Sequence, residues 1–229
     1  MADDSEPKKG IAYFMAGMSE ATGAWAEKRR LATAMREVID RLVTTDAPED
    51  ELRAAADGLE RYAARLLTHP KRKFPAGFAE VANAGDVHAF FDMSPLIGLS
   101  NPLSPPIRLR VDEEYVRGTA TFGAAYEGPP GHLHGGFVAA AFDEVLGYAQ
   151  SLTGNPGMTG TLTIRYRRPT PLYTELRFEA KVDRVEGRKI FVGGRLYAGE
   201  ALTADAEGIF ISVDLAKMTK LAQMVKPES

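Results

Sequence analysis

The sequence of 229 residues predicts an α+β protein, in which an antiparallel β-sheet wraps around one long helix and an N-terminal helical hairpin comes first. Three observations support this class. Apolar residues recur at helical spacing between residues 19 and 67, and apolar residues occupy nearly all sides of a helix between residues 135 and 152. Most of the chain after residue 107 alternates with a period of two, as strands do. Such a sheet can bury its apolar face by curving around the apolar helix.

The first third of the chain predicts an antiparallel hairpin of two amphipathic helices. One apolar stripe consists of Trp25, Leu31, Met35, Val38, Ile39 and Leu42, and the other of Leu52, Ala55, Ala56, Leu59, Tyr62, Ala63 and Leu66. Asp46 and Glu49 have the spacing of a capping box, so we expect Asp46 to cap the second helix. Mixed charges on the outer faces favour a solvated surface over a binding surface. We divide the chain into an N-terminal helical extension, residues 1–90, and a second domain, residues 91–229.

A proline-rich segment at residues 95–106 predicts an extended connector, because proline interrupts helices and removes hydrogen-bond donors from strands. Strands are then predicted near residues 109–111, 116–122, 160–167, 175–185, 188–197 and 201–213, with the long helix after the second of them. In the last strand the alternation slips at Gly208, which predicts a β-bulge there.

Whole-chain composition excludes several kinds of site. The chain has no cysteine, so disulfides, thiolate zinc sites and a cysteine nucleophile are excluded. A polar N-terminus and the lack of a long apolar run predict a soluble, cytoplasmic protein without a membrane partner. The net charge of -3 argues against bulk binding to nucleic acid. His132 and His134 have no third ligand in view, so we expect no metal.

The most informative segment is residues 128–138, Gly-Pro-Pro-Gly-His-Leu-His-Gly-Gly-Phe-Val, where a loop turns into the long helix. The amides of Gly135 and Gly136 are expected to be unpaired at the helix N-terminus, where they could stabilise an oxyanion. Asp143 follows in an apolar run, and a carboxylate buried there costs free energy unless it is paired or used. Its neighbour Glu144 could be the working acid instead.

Gly135 and Asp143 are expected to lie about 12 Å apart along the helix, at about 1.5 Å per residue. That separation is too large for both groups to act on one reacting atom within a single chain. The motif therefore predicts a site built between two chains. Because an exposed strand edge invites pairing, we expect a homodimer, or a dimer of dimers.

Two blocks of sequence resemble a known family. His134-Gly135-Gly136 with an acidic residue nine positions after the histidine, followed by residues 158–169, Met-Thr-Gly-Thr-Leu-Thr-Ile-Arg-Tyr-Arg-Arg-Pro, is similar to the hotdog-fold acyl-CoA thioesterases of the phenylacetyl-CoA (PaaI-like) type. The resemblance runs from about residue 95 to residue 213. It implies a hotdog fold and hydrolysis of an acyl-CoA thioester, with coenzyme A as part of the substrate and no separate cofactor.

The resemblance also implies roles for individual residues. The Gly135 amide would be the oxyanion donor, with Gly136 beside it in contact with the substrate, and Asp143 would serve as general base or as nucleophile. Thr159 and Thr161 are ordinary strand residues by themselves; the resemblance implies that one of them orients the water or the carboxylate. We expect His134 to hold the loop by hydrogen bonding. Some family members have an asparagine where this chain has Gly128, so no side-chain help is expected there.

The second half of the chain has one dense cationic cluster, formed by Arg165, Arg167, Arg168, Arg188 and Lys189. A basic strand edge is usually solvated. If the protein binds coenzyme A, however, three phosphate groups need several cations, and guanidinium groups suit them. We therefore expect Arg167 or Arg168 to contact the phosphates.

Two other functions are compatible with such a fold. One is hydration of an enoyl thioester, but hotdog hydratases pair an acid with a catalytic histidine in a different sequence setting. The other is a non-catalytic acyl-CoA-binding sensor or scaffold, with the helical hairpin carrying the output. A DNA-binding output is disfavoured by the near balance of charges between residues 19 and 67.

Overall fold

The computed structural model describes residues 20–70, 92–105, 107–155 and 157–212. Within these ranges the chain forms three α-helices and six strands, in the order α1 (Gly23–Leu42), α2 (Glu49–Leu67), β1 (Arg108–Asp112), β2 (Tyr115–Ala120), α3 (Gly135–Ser151), β3 (Gly157–Tyr166), β4 (Leu176–Glu186), β5 (Lys189–Ala198) and β6 (Ala201–Ser212). A short 3-10 turn, Ala124–Tyr126, lies between β2 and α3. Every helix and strand predicted from periodicity is present.

The six strands form one antiparallel sheet in the order β1-β2-β4-β5-β6-β3, so β1 and β3 are its edges. The sheet packs around α3, whose Phe142 and Leu146 are fully buried. Phe142 meets Phe178 of β4 edge to face, with the ring centroids 5.9 Å apart. The predicted arrangement of a sheet wrapped around one helix is confirmed. Neither α3 nor any other helix of the described ranges is long and apolar enough to cross a membrane.

The bulges of the sheet do not lie where the sequence predicted one. Gly208 pairs in register with β3 and β5, and the residues that interrupt the pairing are Gly160 in β3, Asp183 in β4 and Thr203 in β6. Gly208 faces the helix instead, and a Cβ atom there would lie 2.7 Å from the ring of Phe210. The predicted bulge was wrong because this glycine is required by close packing, not by a change of register.

The predicted cap of α2 is also wrong. The helix begins at Glu49, its N-cap residue is Pro48, and no side chain caps it. Pro48 holds an extended backbone (φ -67°, ψ 157°) directly before the first helical residue, so the helix starts later than a cap at Asp46 requires. Acidic side chains in the first turn favour this N-terminus through the helix dipole.

Both predicted N-terminal helices are present, but they bury little of their apolar stripes. No residue of α2 is buried, and Leu52, Leu59 and Leu66 of its apolar stripe remain exposed. By contrast, α1 is attached to the rest of the chain through polar groups. Arg29 donates two hydrogen bonds, of 2.7 and 2.8 Å, to the buried carboxylate of Asp92.

Candidate active site

The candidate site begins where the loop meets α3. His134 is the N-cap residue, and its Nδ1 accepts a hydrogen bond of 3.0 Å from the amide of Gly136. A hydrogen bond within the loop is the contact expected of His134. The same hydrogen bond makes the prediction of an unpaired Gly136 amide wrong. The amides of Phe137 and Val138 donate to the carbonyl of His134. Among the described residues, the amide of Gly135 has no acceptor, which leaves one donor available at the helix N-terminus.

The loop before α3 folds tightly on itself. The amide of His134 donates to the carbonyl of Tyr126 at 2.9 Å, and the amide of Gly128 donates to the carbonyl of His132 at 2.9 Å. A Cβ atom at position 128 would lie 2.7 Å from the Cα of His134. The loop therefore has no room for a side chain at position 128, which accounts physically for the glycine there.

The two imidazoles of the loop serve its local structure. Nδ1 of His132 lies 2.8 Å from the carbonyl oxygen of Pro130, and the ring of His134 accepts from Gly136. Within the described part of the chain, no group of three metal-binding side chains lies close enough together to hold an ion.

Tyr166, which the sequence analysis did not select, reaches the same helix N-terminus from the end of β3. Its hydroxyl donates a hydrogen bond of 2.9 Å to the carbonyl of Gly135. Ile164 and Leu162, two and four residues earlier, pack against the core, so strand alternation places Tyr166 on the helix-facing side as well. That alternation was the signal that could have found this residue.

Asp143 lies two turns along α3, on the side that faces β3. The hydroxyl of Thr159 donates a hydrogen bond of 2.7 Å to its Oδ1. Asp143 is exposed, so the predicted burial is wrong. The reason is that β3 is an edge strand, and no further strand among the described residues covers that side of the helix.

A bulge decides which threonine reaches Asp143. In uninterrupted pairing Thr159 and Thr161 would share one face of β3. The extra residue Gly160 breaks this alternation between them. Thr159 consequently meets the helix, whereas Thr161 lines the outer surface of the sheet near Asp205. The structure therefore brings Thr159, and not Thr161, to the carboxylate.

The predicted cationic cluster is divided. Arg165 and Arg167 lie on the outer face of the sheet and both bind the carboxylate of Asp205; the hydrogen bond from Arg167 is the main cause that lowers the pKa of Asp205. Lys189 of β5 pairs with Ile211 of β6, and Tyr166, which lies between Arg165 and Arg167, pairs with Ala204 of β6. Measured along β6 at roughly 3.3 Å per residue, the two ends of the cluster are therefore about 23 Å apart. The prediction of one cluster was therefore wrong.

Arg168 differs from its neighbours in the divided cluster. Its backbone amide donates to Thr203, but within the described ranges its side chain forms no ion pair. It follows Tyr166 by two residues and is exposed. Of the two arginines predicted to contact phosphates, Arg168 is the one whose guanidinium remains available.

The loop and the start of α3 are supported by α1. The carboxylate of Asp40 lies against Gly123, where a Cβ atom would be 2.2 Å from Asp40 Oδ1. Gly123 is the N-cap residue of the 3-10 turn that ends at Tyr126, and the ring of Tyr126 packs edge to face on Phe137 with the centroids 4.9 Å apart. Through this turn, α1 helps to fix the position of His134.

Glu144, the second acid of the motif, is the titratable group in the site that is most strongly perturbed. Burial raises the pKa of its carboxyl to about 7 from an ordinary value of 4.5; the charge of Asp143 adds to this rise and a hydrogen bond with Ser94 opposes it. The raised pKa means that the folded chain binds this proton more tightly than the unfolded chain. The resulting stabilisation is complete below pH 4.5 and is lost as the pH rises through about 7.

Replacing Glu144 by glutamine should remove this pH dependence, because glutamine does not ionise. We expect the Tm of Glu144→Gln to exceed that of the parent protein at about pH 8, and the difference to shrink towards about pH 5. Thermal unfolding of both proteins at the two pH values measures it. A Tm difference of the same size at both values would show that Glu144 does not titrate as described.

The second half of the chain is similar in sequence to known thioesterases. The model of the thioesterase superfamily matches residues 130–204. The acyl-coenzyme A thioesterase THEM4 of Bos taurus is 37% identical over 97 residues, which are 42% of this chain and 40% of that protein. The acyl-coenzyme A thioesterase THEM5 of Homo sapiens is 30% identical over 95 residues, 41% of this chain and 38% of that protein. The chain thus spans about two fifths of the length of these relatives.

The similarity to a solved structure is more extensive. The crystal structure of a thioesterase superfamily protein is 33% identical to this chain, with a TM-score of 0.73, and the match covers 84% of this chain and 92% of that one. It thus extends well beyond the motif at His134 and Asp143. The family predicted from these residues is confirmed: the chain belongs to the thioesterase superfamily and has its hotdog fold.

Proposed function

We propose that the chain hydrolyses acyl-CoA thioesters at a site shared by two subunits. The observation that carries this proposal is the hydrogen bond between Thr159 and Asp143 on the open side of α3, two turns from the Gly135 amide, which has no acceptor among the described residues. A carboxylate oriented by a hydroxyl can deliver water, and a free amide at a helix N-terminus can receive a developing negative charge.

Asp143 acts on the thioester carbonyl in one of two ways. As a general base it takes a proton from water while the water oxygen attacks the carbonyl carbon; as a nucleophile its own oxygen attacks, and water later hydrolyses the acyl-enzyme. In both routes the carbonyl oxygen becomes an oxyanion that the Gly135 amide stabilises, a contribution on the order of 3 kcal/mol. The C–S bond then breaks and coenzyme A leaves as its thiolate, which takes up a proton from the protonated Asp143 in the first route or from water in the second.

Thr159 and Tyr166 support these two groups. The Thr159 hydroxyl fixes the direction of the Asp143 carboxylate, and the Tyr166 hydroxyl holds the carbonyl of Gly135. His134 occupies the neighbouring amide and so leaves Gly135 as the donor. Each of these contacts positions a reacting group without itself touching the reacting atoms.

The site is completed by a second subunit. Gly135 and Asp143 lie on one helix, about 12 Å apart along its axis at about 1.5 Å per residue. The unpaired edge of β3 runs beside Asp143, and Met158 and Tyr166 on this strand are 55% and 56% exposed. Pairing of two such edges gives a homodimer with one continuous sheet, in which Gly135 of one chain faces Asp143 of the other.

Two observations support coenzyme A as the leaving group. The relatives THEM4 and THEM5 are named acyl-coenzyme A thioesterases. In this chain, Arg168 is exposed and follows by two residues the Tyr166 that contacts Gly135, so its guanidinium is available for a phosphate of the substrate.

Thiol release from a panel of acyl-CoAs tests the proposal. We expect enzyme-dependent release of free coenzyme A from at least one member of the panel, well above spontaneous hydrolysis of the same thioester. The matched control is an S-alkyl coenzyme A thioether, which can bind but has no carbonyl to attack. Tight binding of the acyl-CoAs without turnover would overturn hydrolysis and favour a sensor or scaffold.

A further inference from the structure

The helix α1 faces the rest of its chain with its polar side. Its contacts are made by Arg29 to Asp92, by Arg36 to the carbonyls of the segment before β1, and by Asp40 to the turn after β2. Apart from Ala32, no residue of α1 is buried. An amphipathic helix normally does the reverse and buries its apolar stripe. The orientation of α1 thus leaves much of its apolar side exposed, including Leu31, Met35, Val38 and Leu42.

The uncovered stripe of α1 is regular. Leu31, Met35, Val38 and Leu42 follow one another at intervals of four, three and four residues, and they are between 38% and 57% exposed. This spacing, close to 3.5 residues, is the spacing by which two helices pack against each other along their length. The stripe therefore has the pattern of a helix-helix interface.

The helix α2 carries a second stripe of the same kind. Leu52, Leu59 and Leu66 are seven residues apart and between 42% and 51% exposed, and no residue of α2 is buried. The two helices have nearly equal lengths of 20 and 19 residues. Each stripe is thus long enough to cover the other.

The charges around the two stripes are complementary. In α1, five basic and three acidic side chains give a net charge of +2. In α2, five acidic and three basic side chains give a net charge of -2. Opposite charge favours contact between α1 and α2, whereas α1 against α1 or α2 against α2 brings like charges together.

The size of the uncovered surface fits an interface between protein chains. Seven apolar side chains lie on the two stripes. At roughly 80 Å² each they provide about 600 Å² per chain before the neighbouring alanines and the aliphatic parts of charged side chains are counted, compared with about 800 Å² per partner in a standard interface. Two copies related by a two-fold axis can cover both stripes at once, because α1 of each chain then packs against α2 of the other.

We propose that the N-terminal helices of two copies of this chain dock on each other, with α1 of one copy packed along α2 of its partner. This helical interface is separate from the pairing of β3 edges and needs no part of the catalytic machinery. It assigns the N-terminal extension a role in holding two copies together.

The absence of cysteine from the sequence makes a direct cross-linking test possible. Chains carrying Met35→Cys and chains carrying Leu59→Cys, with tags of different size, would be co-expressed and treated with a short bis-maleimide. We expect a covalent heterodimer that contains both tags. The matched control pair is Glu37→Cys with Glu60→Cys, two exposed positions on the charged faces of the same helices, for which we expect at least tenfold less cross-linked product.

A chain carrying both Met35→Cys and Leu59→Cys tests the other arrangement, in which α2 packs against α1 of the same chain. Cross-linking only within single chains, with no covalent dimer in the mixed experiment, would show that α2 folds back on its own α1 and would overturn the proposal. No cross-link in either experiment would also overturn it. Because the readout is the size of the product, these results do not depend on thioester hydrolysis.

Discussion

Replacing Asp143 by asparagine should lower turnover of the acyl-CoA substrate at least 100-fold, which corresponds to about 2.7 kcal/mol in the barrier. Asparagine has nearly the same shape, and its carbonyl oxygen can still accept the hydrogen bond from Thr159. It has no basic or nucleophilic oxygen, however, so both routes proposed for Asp143 fail. The measurement is kcat and kcat/KM for coenzyme A release by parent and variant.

The neighbouring acid provides the control for this substitution. Glu144→Gln changes the adjacent side chain of α3 in the same way, and we expect it to reduce turnover much less than Asp143→Asn. Both variants should keep the fold, since Asp143 is exposed and the glutamine removes a charge that burial disfavours. Near-parental turnover by a folded Asp143→Asn protein would refute the assignment, and a crippling effect of Glu144→Gln alone would exchange the two roles.

A second large effect is expected at Gly135. Proline there removes the amide donor, so Gly135→Pro should be nearly inactive. The local geometry accepts proline, because Gly135 is the first helical residue, His134 before it is extended (φ -62°, ψ 132°), and the lost N–H has no acceptor among the described residues. The control is Gly135→Ala, which adds a Cβ atom at 3.4 Å from the Tyr166 ring but keeps the donor, and should retain far more activity.

Mixing two inactive proteins tests whether the site is shared. Asp143→Ala lacks the carboxylate and Gly135→Pro lacks the oxyanion donor, so each homodimer should be nearly inactive. A mixed dimer has one site with both groups intact and one with neither. After random exchange from an equal mixture, about half of the dimers are mixed, and activity should approach roughly a quarter of that of the parent protein. If exchange is confirmed by mass spectrometry and no activity returns, both groups act within the same chain.

The elements of the fold were predictable because each has a periodicity that its own residues determine. Strands such as β4 and β5 alternate between buried and half-buried positions over much of their length, and α3 is apolar on nearly all sides. Packing details were less predictable. The space beside Gly208 is filled by the ring of Phe210 and the side chain of Leu146. The sequence around Gly208 does not predict this packing.

The site was predictable in part. The motif indicated Gly135 and Asp143, but their surroundings depend on residues that are distant in the sequence. The exposure of Asp143 follows from the position of β3 at the edge of the sheet, and the choice between Thr159 and Thr161 follows from one unpaired residue between them. Tyr166 acquires its role only when β3 is placed beside the start of α3.

The attachment of α1 has a consequence for how the molecule unfolds. Arg29 joins α1 to Asp92 before β1, and Asp40 joins it to the turn at Gly123 after β2. If α1 detaches, the buried carboxylate of Asp92 loses its hydrogen bonds to Arg29, and the turn at Gly123 loses its contact with Asp40. In contrast, no residue of α2 is buried, so its melting exposes no buried side chain of the helix itself. Two helices separated by six residues therefore belong to different cooperative units: α1 opens together with the sheet, and α2 opens independently whenever its chain is alone.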